Sequence, residues 1–343
     1  MKELKTFDLN SFDHNNSTID GHVRSAGKWL KENQKFKDQY NVVLLYTYEG
    51  EVHFNQKDYF LTALNEELNT EWSKDSIFLV MADANLKDNI DRWFAGTSRR
   101  SSPLTPIAWP LGLLKRTQQY YSNKAIKQPK AHSTITKKFI CMNAAAKQHR
   151  AKMVDFLIGT GQQGSISWLN RYGKLNHKQY EYQNWDGSEI KMDYDANSID
   201  QGHNQDVLPP TYYYSGFEIV NESIVSDTSL FVTEKTWKPL MYERVFVPHG
   251  SKGTVTFLKE LGFDLFEEEL NINYDWDNLP YTERWPALTD TINKLLEISV
   301  DEWNTFYQRD DIKKKLNKNS TLARTLNIPG WMNQIIAHNE KNR

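Results

Sequence analysis

At 343 residues, with 39% apolar and 13% aromatic side chains, the chain is too long for one ordinary core and is sized for two α/β domains of about 150 residues each. No stretch approaches the ~20 apolar residues of a bilayer crossing, and residues 1–20 lack an apolar centre, so neither a membrane span nor a signal peptide is expected. The single cysteine, Cys141, excludes an internal disulfide and a cysteine zinc cluster and suits a reducing cytoplasm.

The net charge of −2 hides an asymmetry. Between residues 92 and 154 there is no Asp or Glu, while Arg92, Arg99, Arg100, Lys115, Arg116, Lys124, Lys127, Lys130, Lys137, Lys138, Lys147, Arg150 and Lys152 all fall there. Such a run is either a solvated face balanced by acidic neighbours or the footprint of a polyanion. Arg99, Arg100, Lys115 and Arg116 are the candidate acceptor or polyanion contacts.

Taken in order, NVVLLYTY (41–48) and SIFLVMAD (76–83) read as strands, with a helical pattern around 59–68 between them. The three prolines of SSPLTPIAWP (101–110) rule out a central strand or a helix interior. Residues 120–134 are basic and aperiodic and read as the link between domains. A second alternating series starts with KKFICMN at Lys137, a helix over 147–158 and a strand over 165–169. The insert 172–210 is too polar to build a core of its own. The series resumes with FEIVNE (217–222), a helix opening at Thr233, the strand VFVPHG (245–250) and a helix over 253–261; helices follow 281. The expected fold is α/β, two Rossmann-like domains facing a cleft: 1–130 on the acceptor side, 131–315 holding the nucleotide sugar, and a helical tail over 316–343. Ligands belong beyond the carboxyl ends of the strands.

Usual phosphate loops are missing. GTGQQG (159–164) has glycine spacing but follows a helix pattern, so it reads as a plain turn, and a dehydrogenase or kinase is disfavoured. DWD (275–277) has the form of a metal-binding D-x-D but lies in an acidic loop; it is read as solvated, and no metal or other cofactor is expected. FVTEKTWKP (231–239) is the most informative segment. Thr233 can cap a helix whose amino end attracts an anion, Glu234 can accept from sugar hydroxyls, and Lys235 can reach phosphate. Adjacent helical residues do not share a face, so the two tails should diverge, one to a ribose and one to a phosphate. Glu222 closes the preceding strand near the same sheet edge.

FEIVNES followed by FVTEKTWKPLMYERVFVPHGS resembles the donor-site block of the fucosyltransferases and their phage and bacterial glycosyltransferase relatives, through Phe217, Glu222, Ser223, Phe231, Thr233, Glu234, Lys235 and Gly250. FICMNAAAKQHR (139–150), LKELGFDLF, Asn273–Asp275 and Glu283–Arg284 are similar to the phage-type relatives, so the likeness covers just under half the chain. It implies a GT-B architecture, Glu234 on the ribose, Lys235 on the diphosphate, Glu222 positioning the donor, and Asn143 and Arg150 facing the phosphates. Phe231 in place of the family's tyrosine, and Ser223 in place of its asparagine, leave base and sugar undefined.

The implied activity is metal-independent, inverting transfer from a nucleotide-sugar co-substrate in the cytoplasm of a bacterial or virus-infected cell. Without a metal the departing diphosphate is met by Lys235, Arg150 and the helix dipole. The base is a carboxylate of the first domain; Glu49 and Asp83, just after strand ends, are the candidates. The acceptor is a hydroxymethylated base in DNA, favoured by the basic run, or a glycan. A non-catalytic nucleotide-sugar or nucleic-acid binder is the alternative of another class. His149 and His249 read as structural or solvated, and Trp237 as packing the motif helix onto the sheet.

Overall fold

A computed structural model describes residues 2–8, 19–46, 76–81, 88, 91, 105–109, 114, 117–118, 134–171, 181–191, 210–326 and 331–341. The chain is α/β, with two four-stranded parallel sheets. It divides into two units: residues 1–116, 228–232 and 327–343, and residues 117–227 and 233–326. The sequence expectation drew its lines at 130 and 315. No helix among the described residues is long and apolar enough to cross a membrane.

In the first unit, strands β1 (Glu3–Asp8), β2 (Tyr40–Tyr46), β3 (Ile77–Met81) and β4 (Thr105–Ala108) lie in chain order. Helix α1 (Ile19–Glu32) connects β1 to β2. The inner strands are the apolar runs, with Val42, Val43 and Leu44 of β2 and Ile77 to Val80 of β3 buried. β4 carries Pro106 at the edge of the described sheet, where the missing N–H costs no ladder bond.

In the second unit the spatial order is β6-β5-β7-β8, from β5 (Lys137–Ala145), β6 (Gly164–Arg171), β7 (Ser215–Asn221) and β8 (Phe246–His249). The chain leaves β5 to one side through α2 (Gln148–Gly159), then returns to the other side for β7. The carboxyl ends of β5 and β7 are therefore the point where strand order reverses, the usual crevice of a parallel sheet. GTGQQG is the turn it reads as: α2 ends at Gly159, Gly161 takes φ +63°, and β6 starts at Gly164.

Helices α3 (Pro210–Tyr213), α4 (Glu234–Met241), α5 (Thr254–Glu260), α6 (Glu267–Leu270), α7 (Tyr281–Glu297), α8 (Val300–Gln308) and α9 (Asp310–Thr325) complete this unit, and α10 (Trp331–Lys341) belongs to the first. α9 is no detached tail: Ser320 Oγ and Arg324 Nη2 donate to the Met241 carbonyl at the end of α4, at 3.0 and 2.7 Å. Nor is the insert 172–210 all polar surface. Its described part lays Tyr182, Trp185 and Ile190 against Ala151, Val154 and Trp168, while Asp155 accepts from the Gln183 and Asn184 N–H groups.

The DWD loop is solvated only in part, with Asp275 exposed. Asp277 is buried and accepts from Val255 N at 3.0 Å and Thr256 N at 2.8 Å, capping α5, whose own cap residue, Gly253, has no side chain to do so. One carboxylate of the D-x-D is thus committed to the fold.

Candidate functional site

The site builds outward from Glu222, the residue after β7. Its side chain is fully buried, and both carboxylate oxygens are used. Oε1 accepts from Thr233 N at 3.0 Å and Thr236 Oγ1 at 2.6 Å. Oε2 accepts from Ser223 N at 3.1 Å and Thr233 Oγ1 at 2.6 Å. Thr233 in turn caps α4, its hydroxyl accepting from Lys235 N at 3.3 Å. The protein's own Glu222 carboxylate thus meets the amino end of α4 and complements the helix dipole from within. Glu222 organises the loop that carries the start of α4.

Arg150 and Asn143 are likewise used by the fold. Arg150, 4% exposed, donates Nε and Nη2 to the Glu222 carbonyl at 3.4 and 3.1 Å, and Nη1 to the Ala145 carbonyl at 3.3 Å. His149 Nε2 donates to the same Glu222 oxygen at 3.0 Å, and Lys147 Nζ to the Ser223 carbonyl at 2.8 Å. Three cationic or basic side chains from the start of α2 thus grip the end of β7. Sequence reading singled out only Arg150 and His149 among them; the K-x-H-R spacing on one helical turn was the available signal for Lys147.

Asn143 accepts from Asn221 Nδ2 at 2.9 Å, and Asn221 Oδ1 accepts from His249 Nδ1 at 2.7 Å. The carbonyl oxygen fixes the tautomer: Nδ1 carries the proton, and Nε2 accepts from the Tyr281 hydroxyl at 3.3 Å. Three adjacent strand ends are joined by this chain. Burial, helped by the adjacent His149 ring and by nearby Arg284, Lys152 and Arg150, holds His249 well below the usual imidazole range. Burial also pushes the Tyr281 hydroxyl up to about 12. Lys152 sits over the Trp285 ring at 4.2 Å, and burial lowers its ammonium.

Glu234 and Lys235 occupy the first turn of α4 and keep contact with solvent. Their tails do not diverge. Lys235 Nζ donates to Glu234 Oε1 at 2.6 Å, to Ser223 Oγ at 3.1 Å and to Thr233 Oγ1 at 3.5 Å. The face rule concerns the direction of Cβ, and two long tails at a helix start can curl back to meet. Trp237 is buried beside Phe263.

The structure thus brings together Asn143, Arg150, Glu222, Thr233, Glu234 and Lys235 at the carboxyl ends of β5 and β7. Glu49, Asp83, Arg99, Arg100, Lys115 and Arg116 lie outside the described residues, as do the helix around 59–68 and most of the link 120–134. Glu49 follows the end of β2 by three positions and Asp83 the end of β3 by two. Of the basic run, Lys138 donates to the Leu296 carbonyl, and Lys147, Arg150 and Lys152 are engaged as above. Among the described residues no group of three His, Cys, Asp or Glu side chains gathers as a metal site. Comparison with protein-family models, with curated proteins and with solved structures gives no match for the chain.

Proposed function

We propose that the chain is a glycosyltransferase that binds a nucleotide sugar at the strand-order reversal of its second unit. The observation that carries this reading is the part-exposed Glu234–Lys235 pair, mounted on a rigid helix start at that reversal. A carboxylate suits the two hydroxyls of a ribose, and the neighbouring ammonium suits a diphosphate. Around them Lys147, His149 and Arg150 bring positive potential to the end of β7, and their own bonds hold the loop in place. With this reading goes the GT-B type of architecture, two Rossmann-like domains, for which the two parallel sheets are the support.

The reaction breaks the bond from the anomeric carbon to the diphosphate oxygen while an acceptor hydroxyl oxygen bonds that carbon from the opposite face. The hydroxyl proton passes to a carboxylate, Glu49 or Asp83, and the leaving charge goes to Lys235. Sequence position supports the two acids, since each follows the carboxyl end of an inner strand. The reading needs no metal, and one acid of the DWD at 275–277 caps α5.

For the acceptor, four of the five described residues of the basic run are turned onto carbonyls or an aromatic ring, which favours a glycan over DNA. Binding of a short duplex at two salt concentrations separates the two: a steep salt dependence returns DNA as acceptor. The function itself is tested by a thermal-shift panel of nucleoside diphosphates and their sugars. A preferred donor raises the melting temperature of the wild type and not of Lys235→Ala; a panel with no response rules the reading out.

A further inference from the structure

Among the described residues Lys235 Nζ meets three acceptors, Glu234 Oε1 at 2.6 Å, Ser223 Oγ at 3.1 Å and Thr233 Oγ1 at 3.5 Å. The two side chains of the ion pair keep 26% and 14% of their surface in solvent. Beneath them the buried Glu222 carboxylate ties Ser223, Thr233 and Thr236 with four hydrogen bonds, two of them to backbone N–H groups. The part-exposed tips of Glu234 and Lys235 are the groups that a ligand can rearrange without breaking this network.

We infer that this pair is an internal counter-ion exchange that makes the site bipartite: a diphosphate draws Lys235 off Glu234, and the freed carboxylate then accepts a sugar diol. This rests on the reading of the site given above and adds its selectivity. A diphosphate offers the ammonium several charged oxygens and outcompetes one carboxylate. A neutral diol has no such advantage against an ammonium, so a nucleoside without phosphate is refused. Glu234 thereby determines specificity twice, as the diol acceptor and as the anion that every phosphate must displace.

The test is calorimetric titration of inorganic pyrophosphate into the full chain and its variants. Glu234→Gln removes the competing and repelling carboxylate, and pyrophosphate binds about fivefold tighter. Glu234→Asp keeps the charge one methylene further back, gives an intermediate affinity, and guards against a folding defect in the glutamine variant. Lys235→Ala weakens pyrophosphate about tenfold or more. If wild type binds nucleoside diphosphates through Lys235 while Glu234→Gln binds pyrophosphate equally or more weakly, the exchange is wrong and the site reading stands. If wild type binds neither pyrophosphate nor any nucleoside diphosphate, both fall.

Discussion

Glu222 and Thr233, eleven positions apart, are joined twice: the Thr233 amide donates to Oε1 at 3.0 Å and its hydroxyl to Oε2 at 2.6 Å. The loop between them is closed by these bonds, and the start of α4 depends on them. Glu222→Gln replaces an acceptor oxygen by a donor that faces donors, and it should destabilise the second unit by about 3 kcal/mol in urea unfolding. Thr236→Val, which loses one hydroxyl bond to Oε1, should cost about 1–2 kcal/mol by the same measurement.

Lys235→Ala has the opposite profile. The Glu234–Lys235 pair is partly solvated, so the unfolding free energy should change by no more than about 1 kcal/mol. The stabilisation by a nucleoside diphosphate, read from the same melting curves, should disappear. A variant that melts normally and still responds to the ligand would move the phosphate site elsewhere.

His249 gives a pH signature. Its folded-state affinity for a proton is depressed by burial, so the unfolded chain binds more protons at low pH. Its contribution to stability is fully present above the ordinary imidazole value of 6.5 and is lost as pH falls through 6.5 towards the depressed value. Within that window the wild type should lose up to about 1.4 kcal/mol per pH unit, and His249→Gln should flatten this part of the profile. Protonation would also set a charged ring among His149, Lys152, Arg150 and Arg284 and would oppose the bond donated by Tyr281.

Gly164 opens β6 directly over Phe139. A Cβ there would lie 2.2 Å from two carbons of the Phe139 ring, and the ring is fully buried. Gly164→Ala should therefore cost about 3 kcal/mol, and Phe139→Leu in the same chain should recover part of that loss. Chemical denaturation of the single and double variants measures it.

Asp277→Ala removes both side-chain bonds to the first turn of α5. A loss of about 1–2 kcal/mol is expected. Asp277→Asn, which keeps one acceptor oxygen, should lose less.

Much of the fold is legible because five of its strands are mostly apolar runs. NVVLLY, IFLVM, FICM, FEIV and VFV each exceed what a surface segment would carry, and β2, β3, β5, β7 and β8 stand where those runs do. β1 escapes notice because Leu4 is 38% exposed and its neighbours are charged or polar. β4 escapes because Pro106 argues against a strand everywhere except an edge. At the site, the Thr233 cap is readable from residue type alone. The uses of Glu222 and Arg150 are not, since spacing fixes which sheet edge they approach and says nothing of which atoms they meet. A carboxylate and a guanidinium at a sheet edge look like ligand contacts until the helix amino end and the β7 carbonyls that they satisfy are seen.

The bond between Asn221 Nδ2 and Asn143 Oδ1 crosses 78 positions of sequence and lies two residues beyond the Cys141–Ile219 pairing of the same two strands. A shift of one residue would turn both amides into different surroundings and strand them without acceptors. The two asparagines therefore act as an alignment key for the sheet, and the level at which Glu222 and α4 emerge is set by that key.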